Sequence, residues 1–337
     1  MHHRTLGDTG PRVSALGLGL MGMSDFYGSA DESESLATID AAIGSGVTLL
    51  DTGDFYGSGH NELLLGRALR GHDREQLRIS VKFGALRDPA GGFVGVDGRP
   101  ESVKNFLAQS LRRLGTDYVD VYRPARLDPS VPIEDTVGAI AEMVEAGYVR
   151  HVGLSEVGPE TIRRAAAVHP IADLQIEYSL LSRGIEEEIL PACRELGIGT
   201  TAYGVLSRGL LSGDWSRERA AWTQDARSHI PRFAGENLEH NLALVEALRG
   251  VADAKGARVS QVAIGWALSR GADIVPLVGA RRRDRLTEAL RALDVELTPR
   301  DLAEIERAVP SGAAAGERYD VAQMALLDSE RAAGRDE

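Results

Sequence analysis

The stretch VTLLDTGDFYGSGHNELLLGRALRGHDREQLRISVK, residues 47–82, carries one full period of the chain. A short apolar run, Val47–Asp51, leads through a glycine-bearing loop into Asn61–Leu69, where apolar residues recur at three- and four-residue spacing. A second apolar run, Leu77–Lys82, closes the period. Two strand-type runs flanking a helical pattern make a βαβ unit with a right-handed crossover. The period extends in both directions. Strand candidates are Ser14–Leu20, Val47–Asp51, Leu77–Lys82, Tyr118–Tyr122, Val149–Leu154, Asp173–Glu177, Gly199–Tyr203 and Ile274–Val278. Helical patterns follow at Ser33–Gly44, Asn61–Leu69, Glu101–Leu114, Ile133–Glu145, Pro159–Val168, Glu186–Leu196, twice within Glu236–Arg270, and at Arg283–Leu290. Eight such units predict an α/β fold, a closed (β/α)8 TIM barrel with its helices outside.

The remaining segments dress that barrel. A β-hairpin is expected around Gly7-Asp8-Thr9-Gly10, and a helix over Pro299–Val309 behind a Thr298 N-cap. Ser207–Phe233 is too long for a simple connector and reads as a lid or binding loop. Residues 1–310 are thus expected to form one barrel domain. Residues 311–337, rich in Ala, Gly and charge, form an accessory C-terminal tail whose mobility stays open.

Composition narrows the function. The 337 residues hold 38 basic and 50 acidic side chains, a net charge of −12, which argues against nucleic-acid or anionic-membrane partners because both require a basic stripe. Cys193 is the single cysteine, so there is no intramolecular disulfide framework or thiolate metal cluster. With no apolar h-region at the N-terminus and no run near the ~20 residues that span a bilayer, a cytoplasmic location is expected. The partner expected is a small molecule; helix surfaces do not reveal an oligomer.

Three motifs carry chemistry. Gly17-Leu18-Gly19-Leu20-Met21-Gly22 matches the dinucleotide fingerprint by letter, but a loop follows where a helix should open, so the glycines instead let a barrel strand and its loop approach a ligand. Asp51 and Lys82 end consecutive strands, at the barrel rim where catalytic groups collect, and the loop can return Tyr56 to them. A buried ammonium beside the phenol would lower its pKa and make it a general acid; taken singly, Asp51 is as readily a turn cap and Lys82 a solvated strand end. After the eighth strand, Gly279-Ala280-Arg281-Arg282-Arg283 leads into a helix with Arg285, a place for phosphate and, if both arginines fork onto an extra one, for NADPH over NADH. A solvated basic turn is the plain alternative. Metal ligands are absent, with no His-x-x-x-His or Cys-x-x-Cys, and no Gly-x-Ser-x-Gly supports a hydrolase.

Taken in order, several motifs resemble the aldo-keto reductases from about Arg4 to Leu297. They are Asp51-Thr-x-x-x-Tyr56-Gly57, Asn61-Glu62, Val81-Lys82-Phe83-Gly84, Gly153-Leu154-Ser155-Glu156, Gln175-x-Glu177-Tyr178-Ser179, Thr201-Ala202-Tyr203 with Arg208-Gly209-Leu210-Leu211-Ser212-Gly213, and the Gly279–Arg281 turn. The resemblance implies NADP(H) across the barrel mouth and catalysis by Asp51, Tyr56 and Lys82, with Tyr56 the proton donor. It implies that Ser155 and Gln175 hold the carboxamide and that Tyr203 stacks on the nicotinamide; Glu156, also among the cofactor-binding residues, stands where many relatives have Asn. Gly22, Met23, Gly204, Leu206, Arg208, Gly209 and Gly279 fall on loops flanking the cofactor. Arg281 and Arg285 match the 2′-phosphate site and Glu288 the adenine end. Ala289 and Gly204 stand where Asn and Ser are common. The main departure is Ala125, where the family places a His that donates to the carbonyl oxygen. Loss of one such donor costs on the order of 10²–10³ in rate when nothing compensates; Arg123 and Arg126 are candidate replacements.

The function expected is NADPH-dependent reduction of an aldehyde or ketone, with Phe26, Tyr27, Phe55, Phe83, Ala125 and Trp215 lining the substrate end. Ala125 leaves two alternatives open within enzymes, double-bond reduction and redox epimerisation. A third is a slow-turnover regulatory subunit that binds NADPH.

Overall fold

A computed structural model describes every residue except 25, 223, 224 and 332–337. Its strands are β1 (His3–Thr5), β2 (Arg12–Ser14), β3 (Gly17–Gly19), β4 (Leu49–Gly53), β5 (Arg78–Phe83), β6 (Ala85–Arg87), β7 (Phe93–Val96), β8 (Val119–Pro124), β9 (Val149–Ser155), β10 (Ile171–Glu177), β11 (Gly199–Tyr203) and β12 (Ile274–Gly279). Eight of them close in the order β3-β4-β5-β8-β9-β10-β11-β12, with β12 returning to β3. Every neighbouring pair is parallel. This is the (β/α)8 barrel expected from the repeating period.

Strand side chains alternate between two faces. Outward residues such as Leu50, Ile79, Val81, Tyr122, Val152, Leu174 and Ile176 join helix residues in one large apolar core. Full burial of each large aliphatic side chain contributes roughly 1.5–3 kcal/mol, so this shell dominates stability. Inward residues stack in layers. At the bottom, Leu49, Val121, Val275 and Leu277 meet Leu6 and Val13 of the antiparallel β1–β2 hairpin, which plugs that end. Higher up, the interior turns polar, and there the chemistry begins.

Local signals explain the ends of the helices. Asp31 accepts from the Glu34 amide to start Glu32–Gly44, and Thr298 with Asp301 forms a capping box for Pro299–Ala308. The helices Gly235–Ala254 and Val259–Ser269 divide the long helical region at Lys255-Gly256. The sequence reading missed the antiparallel β6–β7 hairpin, whose signal was the turn at Asp88-Pro89-Ala90-Gly91-Gly92. Among the described residues no helix is long and apolar enough to cross a membrane.

Candidate active site at the barrel mouth

In the β4–β5 register, Asp51 lies beside Ser80 and Gly53 beside Lys82. The side chains of Asp51, Ser80 and Lys82 meet inside the barrel. The Lys82 ammonium donates to Asp51 Oδ2 at 2.5 Å, while Ser80 Oγ and Gln175 Nε2 each donate to Asp51 Oδ1 at 2.8 Å. Asp51 and Lys82 are buried. The loop after β4 is tied back by Asn61, which accepts from Thr52 Oγ1 and donates to the Leu20 carbonyl and Ser24 Oγ. That tether places Tyr56 over the pair, with Lys82 Nζ 5.2 Å from its ring centroid. The three expected catalytic residues thus meet in one place.

The expected effect of lysine on the phenol is reversed here. Burial pushes the Tyr56 hydroxyl well above its ordinary value, and the Asp51 carboxylate adds to the rise. Burial lowers the Lys82 ammonium, offset by Asp51. Burial and Asp51 together therefore hold Tyr56 as the protonated phenol.

Beneath this layer lies a second ion pair, Arg123 to Asp173 at 3.1 Å, both fully enclosed. Arg123 also donates to Ser80 Oγ at 3.0 Å. It supports Asp51 through Ser80 and faces the barrel interior, so it does not take the place of the imidazole at the mouth. Ala125 is buried at the rim beyond β8, its amide bonded to the Phe83 carbonyl at 2.8 Å.

The residues matched to a dinucleotide border the same opening. Ser155 Oγ is buried without a partner, as a hydroxyl awaiting a carboxamide would be. At the β12–β3 seam a Cβ on Gly279 would meet nothing nearer than the Gly19 carbonyl at 4.0 Å, and one on Gly19 nothing nearer than 3.8 Å. This bare groove admits a flat chain of atoms. Gly204 has φ +65° and a Cβ there would sit 3.0 Å from Glu177, so the serine common at that position would be strained. Arg281 reaches across the seam to the carbonyls of Tyr27, Gly28 and Ser29. Arg285 pairs with Asp214 at 2.8 Å and Glu288 at 3.1 Å, and Glu288 accepts from Ser260. Gly22 closes the turn after β3 against Tyr27, whereas the Met23 side chain is buried in the core. Leu206 packs against the core, and Gly209 takes φ +104°. The unpartnered Ser155 hydroxyl and the bare glycine seam fit a nicotinamide dinucleotide, while Arg281 and Arg285 are engaged within the chain.

Glu156 departs from its expected role. Its carboxylate is wholly enclosed and accepts from Arg318 at 2.5 Å, Tyr203 hydroxyl at 2.7 Å, Ser329 Oγ at 2.8 Å and the Glu177 amide at 2.9 Å. With these lone pairs occupied from within, it anchors the C-terminal segment. Burial would raise its pKa, but the Arg318 charge prevails and holds it down to about 2.

That segment is the main feature the sequence reading missed. Arg318 also reaches Glu177 and Glu330, and the Tyr319 hydroxyl lies 2.9 Å from that of Tyr203. Arg208 pairs with Glu177 at 3.1 Å, donates to the Arg318 carbonyl and stacks 4.2 Å from the Tyr319 ring centroid. Asp328 accepts from the Gly158 amide at 2.9 Å. The only cue was Arg318-Tyr319, two binding-type side chains in an Ala- and Gly-rich tail. Non-glycine residues with positive φ, namely Phe26, Ser58, Glu156, Ser207 and Arg208, all lie in loops leaving the same barrel end.

The aromatic set divides. The Arg87 guanidinium lies about equally far from Phe26 and Phe55, at 5.8 and 6.0 Å, while Phe55 meets Tyr56 edge-on at 4.7 Å. Tyr27 and Trp215 flank Arg227, and Trp215 packs on Phe233. Phe83 is a correction. It follows inward Lys82 and therefore points outward, stacked on Tyr122 at 4.3 Å in the core.

Residues 15–310 match the model of the aldo/keto reductase family. Over 317 residues, covering 93% of this chain and 90% of the relative, the sequence is 43% identical to a probable aldo-keto reductase 1 of Glycine max. The glycerol dehydrogenase AKR11B4 from Gluconobacter oxydans is similar in structure, with a TM-score of 0.83 at 27% identity, covering 92% of this chain and 96% of that one. The holo form of aldo-keto reductase AKR11C1 from Bacillus halodurans gives 0.76 at 26% identity, covering 93% and 97%.

Proposed function

Since the chain belongs to the aldo/keto reductase family, whose members are oxidoreductases of carbonyl compounds, we propose that it reduces an aldehyde or ketone with NADPH and that Tyr56 supplies the proton. The observation that carries this reading is the enclosed Tyr56–Lys82–Asp51 cluster beside the unpartnered Ser155 hydroxyl. When bound, the reduced nicotinamide supplies the hydride. Tyr56 then gives its phenolic proton to the carbonyl oxygen, and hydride plus proton complete the alcohol. A raised phenol pKa keeps that proton in place until negative charge develops on the substrate. Lys82 stabilises the phenolate left behind, and Asp51, fixed by Ser80 and Gln175, keeps the ammonium aimed. Arg281 and Arg285, beyond the last strand, would grip the extra phosphate that distinguishes NADPH from NADH on turning from Tyr27 and Asp214.

The test is NADPH oxidation followed by absorbance across a panel of aldehydes and ketones, comparing the native chain with Tyr56→Phe. The variant is expected to lose about 10²–10⁴ in kcat. Equal turnover without the hydroxyl would refute the assigned acid.

A further inference from the structure

Most cations around the mouth sit against a carboxylate, and Arg126, like Arg281, does not. Lys82 has Asp51, Arg318 has Glu156, Arg208 and Arg232 have Glu177, and Arg227 has Asp225. Arg126, two residues beyond β8 and half-buried, meets only neutral oxygens. Its Nη1 donates to the Ala125 carbonyl at 2.7 Å and its Nη2 to the Tyr319 hydroxyl at 3.4 Å, with the Tyr319 ring centroid 5.8 Å away. Among the described residues no carboxylate lies within ion-pair distance of it. Glu156 acts on it only from beyond contact, and a planar guanidinium fork with no carboxylate against it matches one in two parallel hydrogen bonds.

We propose that Arg126 binds a carboxylate carried by the substrate itself, which makes carbonyl acids the preferred class for this mouth; the proposal rests on the reductase reading above. The neighbourhood explains how this serves the reaction. Arg126 follows Ala125, which is buried at the rim beyond β8. Its charge acts on both Tyr56 and Lys82. A substrate gripped by its acid group presents its carbonyl to Tyr56 without needing a second neutral donor. Tyr319, supplied by the C-terminal segment, accepts from the guanidinium through its hydroxyl.

The experiment compares 4-carboxybenzaldehyde with its methyl ester, methyl 4-formylbenzoate, at saturating NADPH, for the native chain, Arg126→Gln and Arg126→Lys. The native chain is expected to favour the acid by about tenfold or more in kcat/KM, carried mainly by KM. That ratio should fall toward one in Arg126→Gln and recover in part in Arg126→Lys. A native ratio near one, or a preference that survives in Arg126→Gln, overturns the proposal. If neither aldehyde is reduced, the reductase reading fails, and the site is judged by binding alone. Calorimetric titration of the full chain with 4-carboxybenzyl alcohol in the presence of NADP+ should give saturable binding that weakens about tenfold in Arg126→Gln. Absent binding to the native chain, or equal binding to both, overturns it as well.

Discussion

Replacing Arg318 with Met removes the cation that reaches Glu156 at 2.5 Å inside the mouth. Glu156 is fully enclosed, so the variant leaves a buried carboxylate with only hydroxyl and amide donors. The magnitude follows from its titration. Its descent from 4.5 to about 2 corresponds to about 3 kcal/mol at 1.36 kcal/mol per pH unit. Breaking a buried pair by removing one partner costs about 3–5 kcal/mol by general experience, which agrees. Because the folded-state pKa is depressed, this stabilisation is present above about pH 4.5 and is lost as the pH falls toward 2. At roughly 2 °C per kcal/mol for a chain of this size, Arg318→Met should lower Tm by about 6–10 °C at pH 7. Glu156→Gln together with Arg318→Met should recover much of the loss and flatten the acid limb. The assay is a double-mutant cycle by denaturant unfolding at pH 7 and pH 3. Strictly additive single-variant effects, or a loss below about 1 kcal/mol at pH 7, would refute the reasoning.

Asp54 offers the opposite sign. Burial and the neighbouring Glu62 carboxylate raise it to about 7, so its favourable contribution is full below about pH 3.8 and disappears as the pH rises through 7. Asp54→Asn should therefore stabilise the protein by about 2 kcal/mol at pH 8 and by little at pH 4, after a discount for the water Asp54 still touches; thermal unfolding at both pH values decides it. Phe83→Ala should destabilise by about 3–5 kcal/mol while leaving substrate KM nearly unchanged, since that ring lies between β5 and the helices; a selective rise in KM would return it to the site. Arg281→Ala with Arg285→Ala should shrink the ratio of NADPH to NADH affinity by about tenfold or more, measured by fluorescence titration. An unchanged ratio would remove both from phosphate recognition.

Much of this protein follows from order along the chain. Eight alternations of apolar run and helical pattern admit few closures other than a barrel, because parallel crossovers share one hand and each helix must cover a sheet face. Strand period then put Asp51 and Lys82 at one rim, and the short loop to Tyr56 brought the third group with them. Those relations are local or join neighbouring strands, so spacing alone could express them. The same alternation turns Phe83 outward beside inward Lys82, against its expected place in the substrate site, but spacing could not say that burial and Asp51 would outweigh the lysine's pull on the phenol. It could not foresee that Arg318 and Tyr319, more than a hundred residues beyond Glu156 and Tyr203, would return across the mouth and leave Arg126 with no carboxylate against it. Contacts between segments so distant depend on the closed three-dimensional path and on electrostatic balance within an enclosed space, and no periodicity in the sequence records either.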